Sequence, residues 1–325
     1  MNAILGIDVA KANLDVALLV EAKPAEPAPF SNDEKGFKQL KRWLVKRGVQ
    51  SLQVCMEATG NFSEASATFL YAQGYTVSVV NPARISGYAK SQLRRNKTDK
   101  LDAALIADFC RTQHPPAWSP PDPAWKELQA LVRHLQDLVN TRQQARNRLS
   151  AGPGAAAVIA QLNEQLAFLD KQIAHLKKLI QNHIDQHPDL KRQRDLLASI
   201  PGIGDLTASK LLAEFRNIAA FDSPAQIVAF AGLNPKHHTS GSSIRGKTVI
   251  SKQGRASIRA ALYMPAVVAK RHNPLLAVFA QRLKQRGLSG TQIIVAIMRK
   301  LLHLAFGILK SGQPFDPNFS LKSAP

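Results

Sequence analysis

Four carboxylates stand at points of the sequence where they could hold a metal ion. Asp8 closes the apolar run AILGIDVA, and Glu57 closes a second run, SLQVCME. Asp99 and Asp102 lie three residues apart at the start of a helical pattern, so they share one helix face. A carboxylate at the end of a buried strand is costly unless it is paired or metal-bound. Oxygen ligands suit Mg²⁺ or Mn²⁺, so the sequence indicates a hard-cation site that could clamp a phosphodiester.

Each of these acids also has a structural explanation. Asp99 could stabilise a helix N-terminus through the helix dipole, and Asp8 could pair with Lys11. The neighbouring cations of the segment RRNKTDK favour a phosphate beside the acids; they are Arg94, Arg95 and Lys97.

Nucleophilic side chains are concentrated in a second stretch, KHHTSGSSIRGK, residues 236–247. It has four hydroxyl groups, two histidines and three cationic side chains, and no carboxylate. The hydroxyls belong to Thr239, Ser240, Ser242 and Ser243. Any of them could attack phosphorus if a partner removed its proton, and any could simply contact a phosphate. His237 and His238 could carry protons or contact phosphate.

The charge of the chain indicates a polyanionic partner. Lys and Arg number 43 against 23 Asp and Glu in 325 residues, a net charge of +20. From Leu190 onward 20 cationic residues face five acids, and no acid lies between Asp222 and Asp316. A surface of one sign favours phosphates, above all those of nucleic acid, over an ordinary solvated face.

Nothing in the sequence indicates a membrane segment or a disulfide framework. The N-terminus meets Asp8 and Lys11 too early for a signal peptide, and the most apolar late segment contains Arg299, Lys300 and His303. Cys55 and Cys110 lie in apolar stretches and are expected in the core. We expect a cytoplasmic, nucleoid-associated protein of a bacterium or archaeon.

The elements that must position these groups fall into three regions. Residues 1–120 are predicted to be α/β, with a hairpin turning at Lys11 to Asn13, further strands at SLQVCME and YTVSVV, and helices between and after them. The linker HPPAWSPPDP, with five prolines, ends this domain.

Residues 121–187 are predicted to be helical. Apolar residues alternate spacings of three and four in a heptad pattern at Ile159, Leu162, Leu166, Leu169, Ile173, Leu176 and Ile180. With the preceding helix, from Trp125 to Arg148, this predicts a helical hairpin. Either the hairpin packs on itself or its coiled-coil seam mediates self-association, and the spacing does not separate the two.

Residues 188–325 are predicted to form a basic, mainly α-helical domain. Two helical stretches meet at Pro201-Gly202-Ile203-Gly204, where glycines leave backbone N–H groups available at a helix start. This pattern is similar to a helix-hairpin-helix, which grips a nucleic-acid backbone; a purely structural turn is the alternative.

Seven segments together resemble a known family. They are GIDVAKANLDV, CMEATG, NPARISGYAKSQLRRNKTDKLDA, SIPGIG, AGLNP, SGSSIRGK and IRAALYMPA. In this order they resemble the DEDD-type insertion-sequence transposases, related to pilin-gene-type DNA invertases, whose first domain resembles the RuvC Holliday-junction resolvases. The resemblance extends from Gly6 to about Pro317 and implies an RNase H-like (RuvC-like) N-terminal domain.

The resemblance also implies roles. Asp8, Glu57, Asp99 and Asp102 correspond to the acidic tetrad that binds Mg²⁺ or Mn²⁺, and Ser240 to a serine that forms a phosphoserine with DNA. Such recombinases assemble as dimers and tetramers on element-end and target DNA, and some use a non-coding bridge RNA as a guide. The residues expected to bind nucleic acid are Arg94, Arg95, Lys97, Gly202, Gly204, Arg245, Lys247, Lys252 and Arg255.

Three other functions fit the same residues. A junction-resolving nuclease would use the tetrad to activate water and leave Ser240 structural. A DNA invertase would share the recombinase chemistry. A non-catalytic nucleic-acid-binding protein would keep its acids in ion pairs.

Overall fold

The structure, a computed structural model, describes residues 2–20, 26–60, 62–92, 99–152, 154–215, 217–236, 239–240, 244–245 and 249–318. At a few of these positions, Asp99, Ser240 and Arg245 among them, it describes the backbone alone. The chain divides into two compact units, Met1–Pro120 and Pro121–Pro325, and each is described by itself.

The N-terminal unit is built on a five-stranded mixed sheet. Its strands are β1 (Asn2–Val9), β2 (Asn13–Val20), β3 (Glu26–Ser31), β4 (Ser51–Glu57) and β5 (Thr76–Val80). Their spatial order is β3-β2-β1-β4-β5, and β2 runs antiparallel to both of its neighbours. β4 and β5 continue parallel to β1. The α/β prediction for this region, including the hairpin of β1 and β2, is confirmed.

Helices cover both faces of this sheet. They are α1 (Glu34–Val45), α2 (Phe62–Ala72), α3 (Pro82–Ser91) and α4 (Asp99–Gln113). Leu5 and Ile7 of β1 share one apolar cluster with Leu40 of α1 and Leu70 of α2. The other face has a smaller cluster in which residues of α3 and α4 pack on β4 and β5. Successive strand residues point to opposite faces, so both sides of β1 and β4 are buried.

Strand β3 is an element that the apolar pattern did not indicate. It is an edge strand of sequence EPAPFS, and prolines are tolerated at an edge because one side makes no ladder hydrogen bonds. Arg47, beyond the end of α1, donates from Nε to Glu26 of β3 at 2.8 Å. This contact fastens the edge strand to the helix that follows it.

The C-terminal unit is mainly helical within the residues described. Its helices are α5 (Pro123–Ser150), α6 (Ala156–Gln186), α7 (Pro188–Ala198), α8 (Asp205–Phe215), α9 (Pro224–Phe230), α10 (Ala256–His272), α11 (Pro274–Gln285) and α12 (Gly290–Ser311). A 3-10 turn spans Ile218–Ala220, and four two-residue strands are β6 (Pro235–Lys236), β7 (Thr239–Ser240), β8 (Ile244–Arg245) and β9 (Val249–Ile250).

Helices α5 and α6 pack along each other as the predicted hairpin. Most of the heptad positions from Leu162 to Ile180 are buried, whereas Ile159 is exposed. Leu128 of α5 and Ile173 of α6 belong to the same apolar core as the helices that follow. Residues 121–187 and 188–325 therefore share one core, and the buried part of the seam packs inside the chain.

Helix α12 is long and apolar enough, by length and composition, to cross a membrane. Half of its most apolar window is buried inside the unit. Ile297, Leu301 and Ala305 are fully buried in the main core. Its apolar sequence is thus that of a central core helix.

Candidate functional site

Asp8 and Glu57 occupy neighbouring strand ends of the N-terminal sheet. β1 and β4 are parallel, and their last registered pair is Ile7 with Met56, so the next residue on each strand is Asp8 and Glu57. Ile7 and Met56 are fully buried on one face, which turns Asp8 and Glu57 to the other. Neighbouring strands lie about 4.8 Å apart. The register therefore brings two of the four predicted acids side by side.

Asp15 is a further acid beside them. In the antiparallel pairing of β1 with β2, Asp15 lies directly opposite Asp8. Directly opposed residues point to the same face of a sheet, so the backbone places Asp15, Asp8 and Glu57 in a row across three strands. All three are partly exposed. We call them the carboxylate row. Asp15 was not predicted, because its position depends on strand register.

Helix α4 lies on the face of the sheet to which the carboxylate row points. A Cβ added at Gly6 of β1 would meet the carbonyl oxygen of Ala103 at 2.1 Å and the nitrogen of Ala107 at 2.4 Å. Gly6 is two residues before Asp8 and points to the same face. The glycine lets the helix backbone approach the strand directly. Asp102, partly exposed, adjoins this contact.

Two buried cysteines show that α4 continues along the same face of the sheet. Cys55 of β4 and Cys110 of α4 are both fully buried in one apolar cluster, as expected for core residues. A hydrogen bond with the Cys110 thiol, together with burial, raises the pKa of Cys55. These two thiols are buried packing groups on the same face of the sheet as the carboxylate row.

The acids fit a divalent metal by the chemistry of their donors. Carboxylate oxygens are the ligands that Mg²⁺ and Mn²⁺ favour. Asp99 is the first residue of α4, one turn before Asp102, and its side chain lies outside the description. Among the described side chains, no three His, Cys, Asp or Glu groups lie close enough together to hold an ion. The backbone places Asp8 and Glu57 on neighbouring strands, and the described side chains form no closed ligand set.

Ser240 lies on a short hairpin of the C-terminal unit. β7 and β8 pair antiparallel, with Ser240 opposite Ile244 and Thr239 opposite Arg245. Ser240 is thus the last described residue of β7, and residues 241–243 lie outside the described residues. The predicted residues Lys247, His237, His238, Ser242 and Ser243 lie outside the described residues, as do Arg94, Arg95 and Lys97 of the first unit.

The two ends of the segment 231–255, which we call the serine segment, are tied together. Arg259 of α10 donates from Nη1 to the carbonyl oxygens of Ala231 at 2.9 Å and Gly254 at 3.3 Å. The Ser251 hydroxyl donates to Asn234 at 2.6 Å. Strands β6 and β9 pair just beyond these bonds. Both ends of the serine segment are therefore fixed to α10, and α10 sets the position from which the β7–β8 hairpin extends.

Arg255, predicted to bind nucleic acid, is ion-paired in the structure. Its Nη1 lies 3.3 Å from Oε2 of Glu214, a carboxylate of α8 that is only 7% exposed. The guanidinium also lies over the ring of Phe230, 5.4 Å from its centroid. Lys252, which was predicted with it, is exposed and has a φ of 55°. Arg255 therefore supports the base of the serine segment, and its partly exposed side chain still reaches solvent.

A pocket of about 330 Å³ adjoins this ion pair. Its lining includes Arg133 of α5 and Lys210 of α8. Lys210 donates to Gln136 at 3.2 Å, and burial together with the nearby Lys177 lowers its pKa. The pocket thus brings together three cationic side chains and two acids, the buried Glu214 and the exposed Asp137.

The glycine turn between α7 and α8 has a packing role. Gly202 has a φ of 106°, and an added Cβ would lie 2.7 Å from Cβ of Ala269 on α10. Gly204 has open space around it and directly precedes α8. The conformation and the tight contact explain Gly202, while Gly204 is free to meet a ligand. The helix-hairpin-helix role of the turn stays a prediction.

Comparisons with known families and proteins match almost the whole chain. A DEDD transposase profile of the IS110 type, described as "Transposase", matches residues 5–152, and the profile "Transposase IS116/IS110/IS902 family" matches residues 194–281. The pilin gene-inverting protein of Moraxella bovis is 34% identical over 96% of this chain and 97% of its own length. The transposase for insertion sequence element IS1111A of Coxiella burnetii is 26% identical over 83% and 78%.

Among solved structures, this chain is similar to RuvC of T. thermophilus in complex with a Holliday junction substrate. The alignment has 11% identity and a TM-score of 0.28, and it covers 36% of this chain and 100% of that one.

Proposed function

The chain belongs to the family of IS110-type DEDD transposases, and from that premise we propose that it is a site-specific recombinase of an insertion sequence, acting through a phosphoserine at Ser240. Members of this family cleave and rejoin DNA, and this chain is such an enzyme. The observation that supports the mechanism best is the separation of the reacting groups. Acids lie together in one unit, and a serine lies in a stretch of the other unit that has no acid.

The N-terminal unit is proposed to be an RNase H-like, RuvC-like domain. The mixed sheet supports this assignment. Its central strand β1 bears one acid near its end, the neighbouring strand β4 ends in a second, and α4, which packs on this sheet, carries two more. We retain the division of the rest into a helical region, 121–187, and a transposase region, 188–325, as part of the proposal.

Asp8, Glu57, Asp99 and Asp102 would hold Mg²⁺ or Mn²⁺. When bound, the ion would supply Lewis-acid stabilisation of the negative charge on the phosphate oxygens. Asp15, next to Asp8 in the carboxylate row, would orient the neighbouring carboxylate or add charge at this edge.

Ser240 would attack the phosphorus of a DNA phosphodiester. The bond from Oγ to phosphorus forms as the bond from phosphorus to the leaving deoxyribose oxygen breaks, and the serine proton passes to a base. Attack by another deoxyribose hydroxyl on the phosphoserine reverses the step and joins the strand to a new end. Energy of the phosphodiester is kept in the phosphoserine, so no nucleotide cofactor is required.

The cationic residues would hold the DNA backbone. Arg245 lies on β8 beside the serine strand, and Lys252 is exposed at the base of the serine segment. Gly204 would offer its N–H at the start of α8. The full proposed set also includes Arg94, Arg95, Lys97, Gly202, Lys247 and Arg255.

Further partners belong to the proposal. A guide RNA would supply sequence choice by base pairing, leaving the protein to grip backbones. Assembly as a dimer or tetramer would use the far end of the α5–α6 hairpin, where Ile159 and Phe168 are exposed. The protein would act on DNA in the cytoplasm.

DNA inversion is the second candidate function. The similarity to the pilin gene-inverting protein over nearly the full length of both chains favours it. Inversion and transposition would share the phosphoserine chemistry and differ in how the two DNA sites are arranged.

The test is a cleavage assay with Mg²⁺, element-end DNA and co-expressed flanking RNA, resolved on a denaturing protein gel. Wild type should form a covalent adduct with DNA, and Ser240→Ala should form none while still binding DNA. Cleavage without an adduct, unchanged in Ser240→Ala, would mean a RuvC-like nuclease instead. Adduct formation by Ser240→Ala would point to another nucleophile in the same hairpin.

A further inference from the structure

Helix α10 exposes an apolar stripe on its outer face. Tyr263, Met264 and Val268 are 48%, 61% and 42% exposed, and Val267 between them is partly exposed. Residues three and four apart adjoin on a helix, so these side chains form one continuous strip, which we call the α10 stripe. The opposite face of the helix, with Leu262 and Ala266, is buried in the core. The stripe is therefore additional to the surface that α10 needs for folding.

The formal charges on α10 itself have a single sign. Arg259, Lys270 and Arg271 lie on the same helix, and the sequence has no acid between Asp222 and Asp316. A second copy docking through the same stripe would bring cations against cations, which disfavours self-association there. A partner that combines negative charge with flat apolar surfaces complements it. Nucleic acid with unstacked bases has both properties.

We propose that the α10 stripe binds unpaired bases of a nucleic-acid strand. The Tyr263 ring offers a stacking platform, and Met264 and Val268 offer an apolar wedge against which a displaced base packs. From Tyr263 to Val268 the helix advances about 7.5 Å, which matches roughly two base steps of 3.4 Å. The stripe is thus suited to about two bases.

This inference rests on the proposed function and adds a base-contacting surface to it. Strand exchange requires bases to leave one partner before they pair with the next, so unpaired bases arise during the reaction. The other proposed contacts grip phosphates, which are present whether or not the bases are paired. The stripe would favour the unpaired state and would hold the strand while its partner changes.

The experiment compares two probes with the full-length protein. One is a fully paired duplex, and the other is the same duplex with a bulge of two unpaired nucleotides, one of them 2-aminopurine. Affinity is measured over a range of salt concentrations for wild type, the double variant Tyr263→Ala, Met264→Ala, and Tyr263→Phe. The matched control is Val278→Ala on α11, which removes an apolar side chain that is 69% exposed.

Wild type should prefer the bulged probe and quench the 2-aminopurine. The double variant should lose this preference by on the order of tenfold and leave the base unquenched, because a stacking contact is gone. Its salt dependence should not change, because no charge has been removed. Tyr263→Phe and Val278→Ala should behave as wild type, and since the residues are exposed all variants should melt alike.

Equal affinity of wild type for both probes, or an unchanged preference in the double variant, would overturn the assignment of the stripe. So would binding of anionic vesicles, or a larger oligomer without nucleic acid, if either is lost in the double variant. Failure to bind either probe would overturn the proposed function as well. Because the assay needs no cleavage, its outcome is separate from that of the Ser240 adduct test.

Discussion

The carboxylate row and the serine segment are held in place by different means. The row depends on backbone register, since Asp8 and Glu57 end paired strands and Asp15 lies opposite Asp8. The serine segment depends on side chains, since Arg259 ties its two ends and Glu214 holds Arg255. A register set by backbone pairing depends on no single side chain, whereas a tethered segment can be loosened by a single substitution. The difference indicates a fixed acidic platform and a more adjustable serine.

The largest expected effect tests the acid that α4 adds beside the carboxylate row. Asp102→Asn should lower DNA cleavage by on the order of 10³-fold, because a proposed metal ligand is lost, and should leave DNA binding and its salt dependence intact. The matched control is Asp108→Asn on the same helix, where the carboxylate accepts hydrogen bonds from Tyr88 and Arg111. Equal loss of cleavage in both variants would mean that α4 tolerates no change, and the metal role would not be supported.

A substitution under the platform tests its backbone. Gly6→Ala should reduce the free energy of unfolding by about 1–3 kcal/mol, because the new Cβ collides with the backbone of α4. Gly87→Ala is the control, since Gly87 lies in α3 with open space around it, and it should stabilise by about 0.5–1 kcal/mol. Urea denaturation measures both. A neutral Gly6→Ala would show that α4 can move away from β1 without cost.

Loosening the serine segment should affect the reaction more than binding. Arg259→Met removes the donors to Ala231 and Gly254, and we expect adduct formation to slow by about tenfold, the equivalent of a net hydrogen bond or two. Arg259→Lys keeps the charge, so it should bind DNA as wild type does and recover only part of the rate. A parallel fall in DNA affinity and rate in Arg259→Met, both restored by Lys, would show a phosphate contact in place of a tether.

The smallest expected effect concerns helix α12 of the C-terminal unit. Burial and the neighbouring Lys300 and Arg299 lower the pKa of His303 on α12. The folded state therefore binds a proton less readily than the unfolded state, and the free energy of unfolding should decrease as pH falls below about 6.5. In His303→Leu, the decrease in melting temperature between pH 7 and pH 5.5 should be smaller than in wild type, by under about 4 °C. An unchanged pH dependence would show that His303 takes up its proton without cost.

Local patterns predicted most of the elements that position the site. β1, β2, β4 and β5 are apolar runs between turn residues, and each appears at its predicted place. The edge strand β3 was not predicted, because EPAPFS has two prolines and little alternation of apolar and polar residues. Its place depends on pairing with β2. Helix α3 was not predicted either, since only Ile85 of its ten residues is buried.

The arrangement of the candidate site was only partly predictable. Asp8 and Glu57 were found because each interrupts an apolar run. Asp15 was not found, because alternation in β2 gives no indication of what lies across the ladder. The pairing of Glu214 with Arg255 joins residues 41 positions apart and depends on how α8 packs near α10. Contacts of this kind arise from tertiary packing, on which spacing along one element gives no information.

The contact between Gly202 and Ala269 limits which substitutions the chain can accumulate. A side chain at 202 would need more room at 269, and Ala269→Gly would remove the 2.7 Å contact while leaving Cα and N of residue 269 at 3.0 Å. The backbone at 202, with φ of 106°, would still disfavour a side chain, so the double substitution relieves part of the collision and none of the strain. A substitution at position 269 therefore cannot fully offset one at position 202. We expect every replacement of Gly202 to reduce the free energy of unfolding, whatever residue stands at 269.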